Sequence, residues 1–213
     1  MSDYTSGKGW KIAKRQHIME AAFQLFSERG IEPVNMQEIA QAGGVSRATL
    51  FRYFPSKLDL VVAIGTWKWM DYIEWHNASL LQEMPDSMNA AAQLRFLLDA
   101  FLDLYRNHSD ILRFNYIFNS FLRYEGDTSE RKQPYMRVVD MLGRQFHEVY
   151  LRGLRDGTLN TDISERIMFS SSFHIMLAAV TRYAVGLVYE NGARPEDELI
   201  MLEELLLSRF TRR

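Results

Sequence analysis

Arg47, Ala48 and Phe51 are the residues of this 213-residue chain whose types and spacing point most directly to chemistry. They lie on a short predicted helix, Arg47 to Phe54, whose Leu50 and Phe54 (i, i+4) make the core side and leave Arg47, Ala48, Phe51 and Arg52 on other faces. The planar fork of an arginine at such a position bonds guanine O6 and N7 together. Ala48 and Phe51 offer apolar contact to a thymine methyl, and Gln37, at the start of the preceding helix, is placed to meet a base or a phosphate. This is recognition chemistry rather than catalysis. Cysteine is absent, which excludes a disulfide framework, a thiolate metal site and a cysteine nucleophile. No nucleophile elbow, HExxH, phosphate-binding loop or dinucleotide fingerprint occurs, and the five histidines fall on different segments without metal-ligand spacing. The expectation is a protein that is not an enzyme, with no cofactor and no metal. The weaker alternative is an all-helical metal-assisted enzyme.

The elements that must position these residues are set by local signals. Asn35 is a strong N-cap type with Glu38 three residues on, a capping box for a helix over Met36–Ala42. Gly43-Gly44 makes a tight turn, Val45 plugs it, and Ser46 caps the Arg47 helix. Pro55 ends that helix; Ser56 with Asp59 opens the next. Upstream, Ile18, Ala22, Leu25 and Phe26 share one face of a helix over Lys11–Arg29, closed by Gly30. Two short helices joined by a glycine turn, the second exposed, is the layout of a helix-turn-helix whose second helix enters the DNA major groove.

Charge agrees. Residues 1–57 hold eight basic and five acidic side chains, a net +3; the remaining 17 basic and 22 acidic side chains leave −5. A basic end on an acidic body fits a polyanion partner at that end alone.

The run Ile18-x-x-Ala21-Ala22-x-x-Leu25-Phe26-x-x-x-Gly30, followed by Ile39-Ala40-x-Ala42-Gly43-Gly44-Val45-Ser46-x-Ala48-Thr49-Leu50-Phe51-x-Tyr53-Phe54-x-Ser56-Lys57-x-x-Leu60, resembles the N-terminal domain of the TetR family of transcriptional regulators. It departs from the family's habit at Val34-Asn35, where Thr-Thr is common, at Phe51, where tyrosine is common, and at the double glycine. The resemblance implies that Thr49, Tyr53 and Lys57 match positions that hold the phosphate backbone; with Arg52, the capping Ser46 and the base-facing Gln37, Arg47, Ala48 and Phe51 they make up the expected DNA-binding set. It also implies an all-α fold: a three-helix helix-turn-helix domain over 1–57, then a helical ligand-binding and dimerisation domain over 58–213. Its partners are then a palindromic double-stranded operator, a small-molecule effector and a second copy of the chain. The expected function is a ligand-responsive repressor released from its operator by a small, largely apolar or aromatic ligand, with an activator of the same fold as the alternative.

Beyond Leu60 the pattern predicts helices only: one to about Leu81, broken by Pro85, then Met88–Arg106, Ser109 to about Tyr124, Tyr135–Arg155, Ser164–Tyr189 ended by Asn191-Gly192, and a last one opened by Pro195. The middle helices are rich in aromatics. Trp67, Phe101, Phe114, Phe118, Phe121, Phe146, Tyr150, Phe173 and His174 are the candidates for a ligand pocket. Leu199, Leu202, Leu206 and Phe210 make a stripe on the last helix, with Ile175, Ala179 and Tyr183 on its partner, and Ala178, Ala179 and Gly186 permit close approach. Together these are the expected dimer interface, a four-helix bundle by resemblance. The chain opens without a signal-like apolar run, and its longest pure apolar run, Ile175 to Val180, is too short for a bilayer. A soluble, cytoplasmic protein without membrane partners is expected.

Overall fold

The computed structural model describes residues 7–83, 88–126, 130–188 and 192–212. These fold into nine α-helices: α1 (Gly7–Arg29), α2 (Met36–Ala42), α3 (Arg47–Tyr53), α4 (Lys57–Glu83), α5 (Ala90–Asn107), α6 (Ser109–Tyr124), α7 (Gln133–Asp156), α8 (Glu165–Ala184) and α9 (Pro195–Phe210). Among the described residues the only β-type pairing is one bridge, Leu159 with Thr211. The all-α expectation holds. Pro85, Tyr189 and Asn191 lie outside the described residues.

The chain divides into two compact units. The first takes Met1–Trp69 together with Phe114–Met136; the second takes Met70–Arg113 and Arg137–Arg213. The first therefore reaches past the expected break at residue 57. One helix of 23 residues and two of 7 bury too little to close a core, and here the start of α4 and the end of α6 complete it. Ile18, Phe23 and Phe26 of α1, Ile39 of α2, Leu50 of α3 and Leu60, Val61 and Ile64 of α4 pack with Phe114, Phe118 and Phe121 of α6. The Phe118 ring lies against the backbone of α4 at Gly65, where an added Cβ would meet it at 3.2 Å. Phe23 and Phe114 are 5.3 Å apart between centroids, and Phe118 meets Tyr135 at 4.8 Å. One buried polar group sits in this apolar mass: the side-chain oxygen of Asn115 accepts from Trp69 Nε1 (3.3 Å) and from the Tyr135 hydroxyl (3.2 Å). Burial without such partners would cost on the order of 1–3 kcal/mol.

In the second unit, α5, α8 and α9 pack on one another. Leu94 and Leu98 of α5, Met176 and Val180 of α8, and Leu199 and Phe210 of α9 are buried there. Amides at the start of α5 are held from afar, Ala90 N donating to Asp156 (2.8 Å) and Ala91 N to Thr158 (3.1 Å). Helix α8 stops five residues before the expected Tyr189. Gly186 takes φ +75°, its N–H donates to the Tyr183 carbonyl (3.1 Å), and Leu187 N donates to the Arg182 carbonyl (3.0 Å). This is a Schellman stop that a glycine makes at little steric cost. Gly186 ends the helix rather than allowing another to approach it.

Gly153, inside α7, has a different reason. A Cβ there would lie 2.4 Å from two carbons of the fully buried Leu159. Alanine gains about 1 kcal/mol of helix propensity over glycine, but that overlap outweighs it. Gly153→Ala is expected to lower stability by about 1–3 kcal/mol. Gly143→Ala on the same helix, where a Cβ meets open space, is expected to be neutral or stabilising. Urea midpoints of the two variants check the contrast.

Candidate nucleic-acid interface

Helix α3 is held by its caps and by one face. Asn35 completes the expected box on α2: its side chain accepts from Gln37 N (2.9 Å) and Glu38 N (3.1 Å), and its own N–H donates to Glu38 Oε2 (2.9 Å). The other carboxylate oxygen of Glu38 pairs with Arg29 at 2.7 Å. The Asn35 amide first, and Arg29 second, hold this carboxyl below the usual range. Between α2 and α3, Gly44 takes φ +58° while Gly43 stays at −80°, so only the second glycine is required by conformation. Val45 N donates to the Ala40 carbonyl (2.9 Å), closing the turn. Ser46 Oγ accepts from Thr49 N (3.1 Å) and bonds the Thr49 hydroxyl (3.0 Å).

With Leu50 and Phe54 locked into the core, the rest of α3 is presented outward. Ser46, Arg47, Ala48 and Arg52 are exposed, as is Gln37 on α2; Thr49, Phe51 and Tyr53 are half-buried. Arg47 stacks its guanidinium 5.4 Å from the Phe51 ring centroid, and Arg52 lies 5.9 Å from that of Tyr53. Stacking one turn along the helix orients the Arg47 fork while leaving its N–H groups free to donate outward. Lys57 differs from the others. Its Nζ donates to the Glu32 carbonyl (2.9 Å) and sits 5.9 Å from the Phe121 ring, with burial pulling its pKa down. A phosphate contact from Lys57 must compete with that bond, whose acceptor lies 25 residues back in the chain.

The expected ligand set is divided between the two units. Phe114, Phe118 and Phe121 belong to the core of the first unit. Trp67 is in the first unit too, on a cleft of about 340 Å³. Phe101, Phe146, Tyr150, Phe173 and His174 are in the second unit. There Phe101, Phe173, Phe169 and Phe146 run ring to ring at 5.9, 5.9 and 5.3 Å. Tyr150 donates to the Ile163 carbonyl (3.2 Å), and His174 is exposed. A groove of about 470 Å³ opens beside Phe169, between Gly143 and Ser164 to Arg166. Among the described residues no acidic or histidine cluster fit for a metal occurs, and no helix is long and apolar enough to cross a membrane.

The dimer stripe on α9 needs a correction. Leu199, Leu206 and Phe210 are buried within the single chain, and Leu202 is half-buried. The inward stripe is Leu199, Glu203, Leu206, Leu207 and Phe210, which the chain spends on its own core. The outward apolar residues of α9 are Met201 and Leu205, 55% and 56% exposed; on α8 they are Ile167 and Ile175. Ala179 and Tyr183 are half-buried. Met201 and Leu205 are readable in the sequence only as an i, i+4 pair on a helix apolar nearly all round.

Residues 18–64 match the model of bacterial regulatory proteins of the tetR family. The nucleoid occlusion factor SlmA of Pasteurella multocida is 28% identical over 178 residues, which is 81% of this chain and 83% of that protein. The HTH-type transcriptional regulator AcrR of Shigella flexneri is 44% identical over 46 residues, 22% of this chain and 21% of the relative. Among solved structures, the transcriptional regulator FadR of Bacillus subtilis in complex with stearoyl-CoA superposes with a TM-score of 0.69 at 18% identity, covering 91% of this chain and 97% of that one. At that identity the likeness is one of fold.

Proposed function

We propose, from the match of residues 18–64 to the tetR family of bacterial regulatory proteins, that the chain is a TetR-family repressor that reads a palindromic operator as a dimer and is released by a small effector. The observation that carries the DNA-reading part is α3 itself: a capped helix clamped by Leu50 and Phe54, with Arg47, Ala48, Phe51 and Arg52 turned outward. One such helix reads few base pairs, so a two-fold pair of them, about one DNA turn apart, supplies selectivity. Ile175 on α8 with Met201 and Leu205 on α9 is the exposed apolar surface suited to that pairing. The aromatic run from Phe101 to Phe146 in the second unit is the wall an apolar effector meets. The effector must favour one of two states to act as a switch.

Arg47→Ala tests base readout. It is expected to weaken operator binding by about 1–3 kcal/mol and to relax preference at one position per half-site, measured by anisotropy against a selected duplex and its single-base variants. Unchanged selectivity removes Arg47 from base readout. A second reading comes from the similarity to a nucleoid occlusion factor over four fifths of the chain: DNA binding that serves something other than promoter control. Mapping bound sites along the chromosome separates the two, since a repressor concentrates at promoters.

A further inference from the structure

The cleft of about 340 Å³ in the first unit lies outside the aromatic run to which an effector is assigned above. Its rim carries two guanidiniums. Arg15 of α1 hangs 4.9 Å over the ring of Phe54, and its Nη1 reaches only the thioether of Met19 (3.4 Å), a weak acceptor. Arg131 reaches the Ser56 hydroxyl at 3.4 Å. Among the described residues neither guanidinium has a carboxylate within ion-pair distance. The one acidic group on the wall, Asp59, is engaged in capping α4: it accepts from the Ser56 hydroxyl at 2.7 Å, and its N–H donates back to Ser56 Oγ. Two cations against one committed anion leave the cleft with a net positive charge of one. Its floor on α4 is Val62, Ala63, Thr66 and Trp67, apolar but for the Thr66 hydroxyl, which donates to the Val62 carbonyl at 2.7 Å. The Trp67 ring is itself steadied by Lys68 Nζ at 4.4 Å from its centroid.

Planar forks at the rim, a single surplus charge and an apolar floor describe one ligand chemistry: a monoanionic carboxylate on an apolar body, held by charge-assisted paired hydrogen bonds. We propose that this cleft, formed by α1, α4 and the turn that leads into α7, is a carboxylate-binding site within the DNA-reading unit. The volume falls in the range of small-molecule sites. A ligand that engages Arg15 draws on the guanidinium stacked over Phe54, the residue that closes α3. Occupancy and operator binding are then linked, and the linkage is reciprocal. This part rests on the effector-controlled reading above; the site itself does not.

The test uses the full chain with benzoate and octanoate as probes, benzamide and octanamide as uncharged counterparts, and inorganic phosphate as an anion without a body. Titrations are followed by calorimetry and by the Trp67 indole resonance, assigned through Trp67→Phe. At least one carboxylate is expected to bind, its amide to bind tenfold or more weakly, and Arg131→Gln and Arg15→Gln each to weaken the carboxylate about tenfold. Arg131 is exposed, so its variant tests the site even if Arg15→Gln loosens the packing on Phe54. Absence of carboxylate binding, equal binding of acid and amide, or affinity unmoved in Arg131→Gln overturns the proposal. Phosphate binding as tight as the carboxylates removes the apolar floor from it and overturns it likewise. Carboxylate binding that leaves operator affinity unchanged supports the site and counts instead against effector control through it.

Discussion

A chain carrying Met201→Glu together with Leu205→Glu is expected to sediment as a monomer, and to lose more than a hundredfold in affinity for an operator of two half-sites. Both side chains are more than half exposed in the single chain, so the substitutions leave its core untouched and thermal unfolding should shift little. The loss arises because two half-sites bound independently forgo the effective concentration that linkage supplies, commonly worth two to four orders of magnitude. Two buried glutamates facing two more across a two-fold axis cost several kcal/mol by like-charge repulsion and desolvation. Binding to an isolated half-site, measured by anisotropy, should be unchanged. A variant that remains dimeric in sedimentation moves the interface off this face. Phe210→Ala is the contrasting control: buried within the chain, it is expected to cost about 3–5 kcal/mol of folding stability.

The second large effect lies at Glu203. This carboxyl is 2% exposed on the inward stripe of α9, 3.3 Å from Arg95 Nη1 and within the field of Asp99, both of α5. Burial first, and the neighbouring Asp99 second, push it from an ordinary 4.5 up to about 7, against the opposing pull of Arg95. Between these two values the folded chain keeps a proton that the unfolded chain has released. The stability this group contributes is therefore full below about pH 4.5, falls as pH rises toward 7, and levels off above it, by about 3 kcal/mol in all. Glu203→Gln removes the titration. It is expected to be more stable than the parent by about 2–3 kcal/mol at pH 8 and nearly equal to it at pH 4, read from urea unfolding at both. A difference that does not change with pH rules out Glu203 as the titrating group.

Glu203 also shows where the sequence was and was not legible. The helix-turn-helix could be read because its determinants act over three or four residues: Asn35 with Glu38, Ser46 with Thr49, glycine at a positive φ. The outward set on α3 followed from the burial of Leu50 and Phe54 alone. Orientation on α9 did not. That helix is apolar on most sides, so a leucine stripe names an inward face without saying whether the chain or a second copy covers it, and an acidic residue on the inward face goes unsuspected. The partition of the aromatics was hidden for a related reason. Phe114, Phe118 and Phe121 pack on α1 and α4 through contacts between residues some 50 to 100 positions apart, and periodicity carries no information at that range. Gly186 was legible as a small residue and silent as a stop, because only its φ tells the two apart. Lys57 matched a phosphate-holding position, yet its tie to the Glu32 carbonyl depends on a partner that spacing does not reveal.

The shared acceptor at Asn115 has a consequence in time rather than in energy. One amide oxygen receives donors from α4 and from α7 while riding on α6. Releasing either donor leaves the oxygen one bond still made, and only the loss of both strands it in an apolar interior. The tie of α6 to α4 and its tie to α7 can therefore break one at a time, the second bond keeping the oxygen satisfied while the first is open. The costly event is the departure of both donors, so a local opening at one helix has a held partner to reclose on.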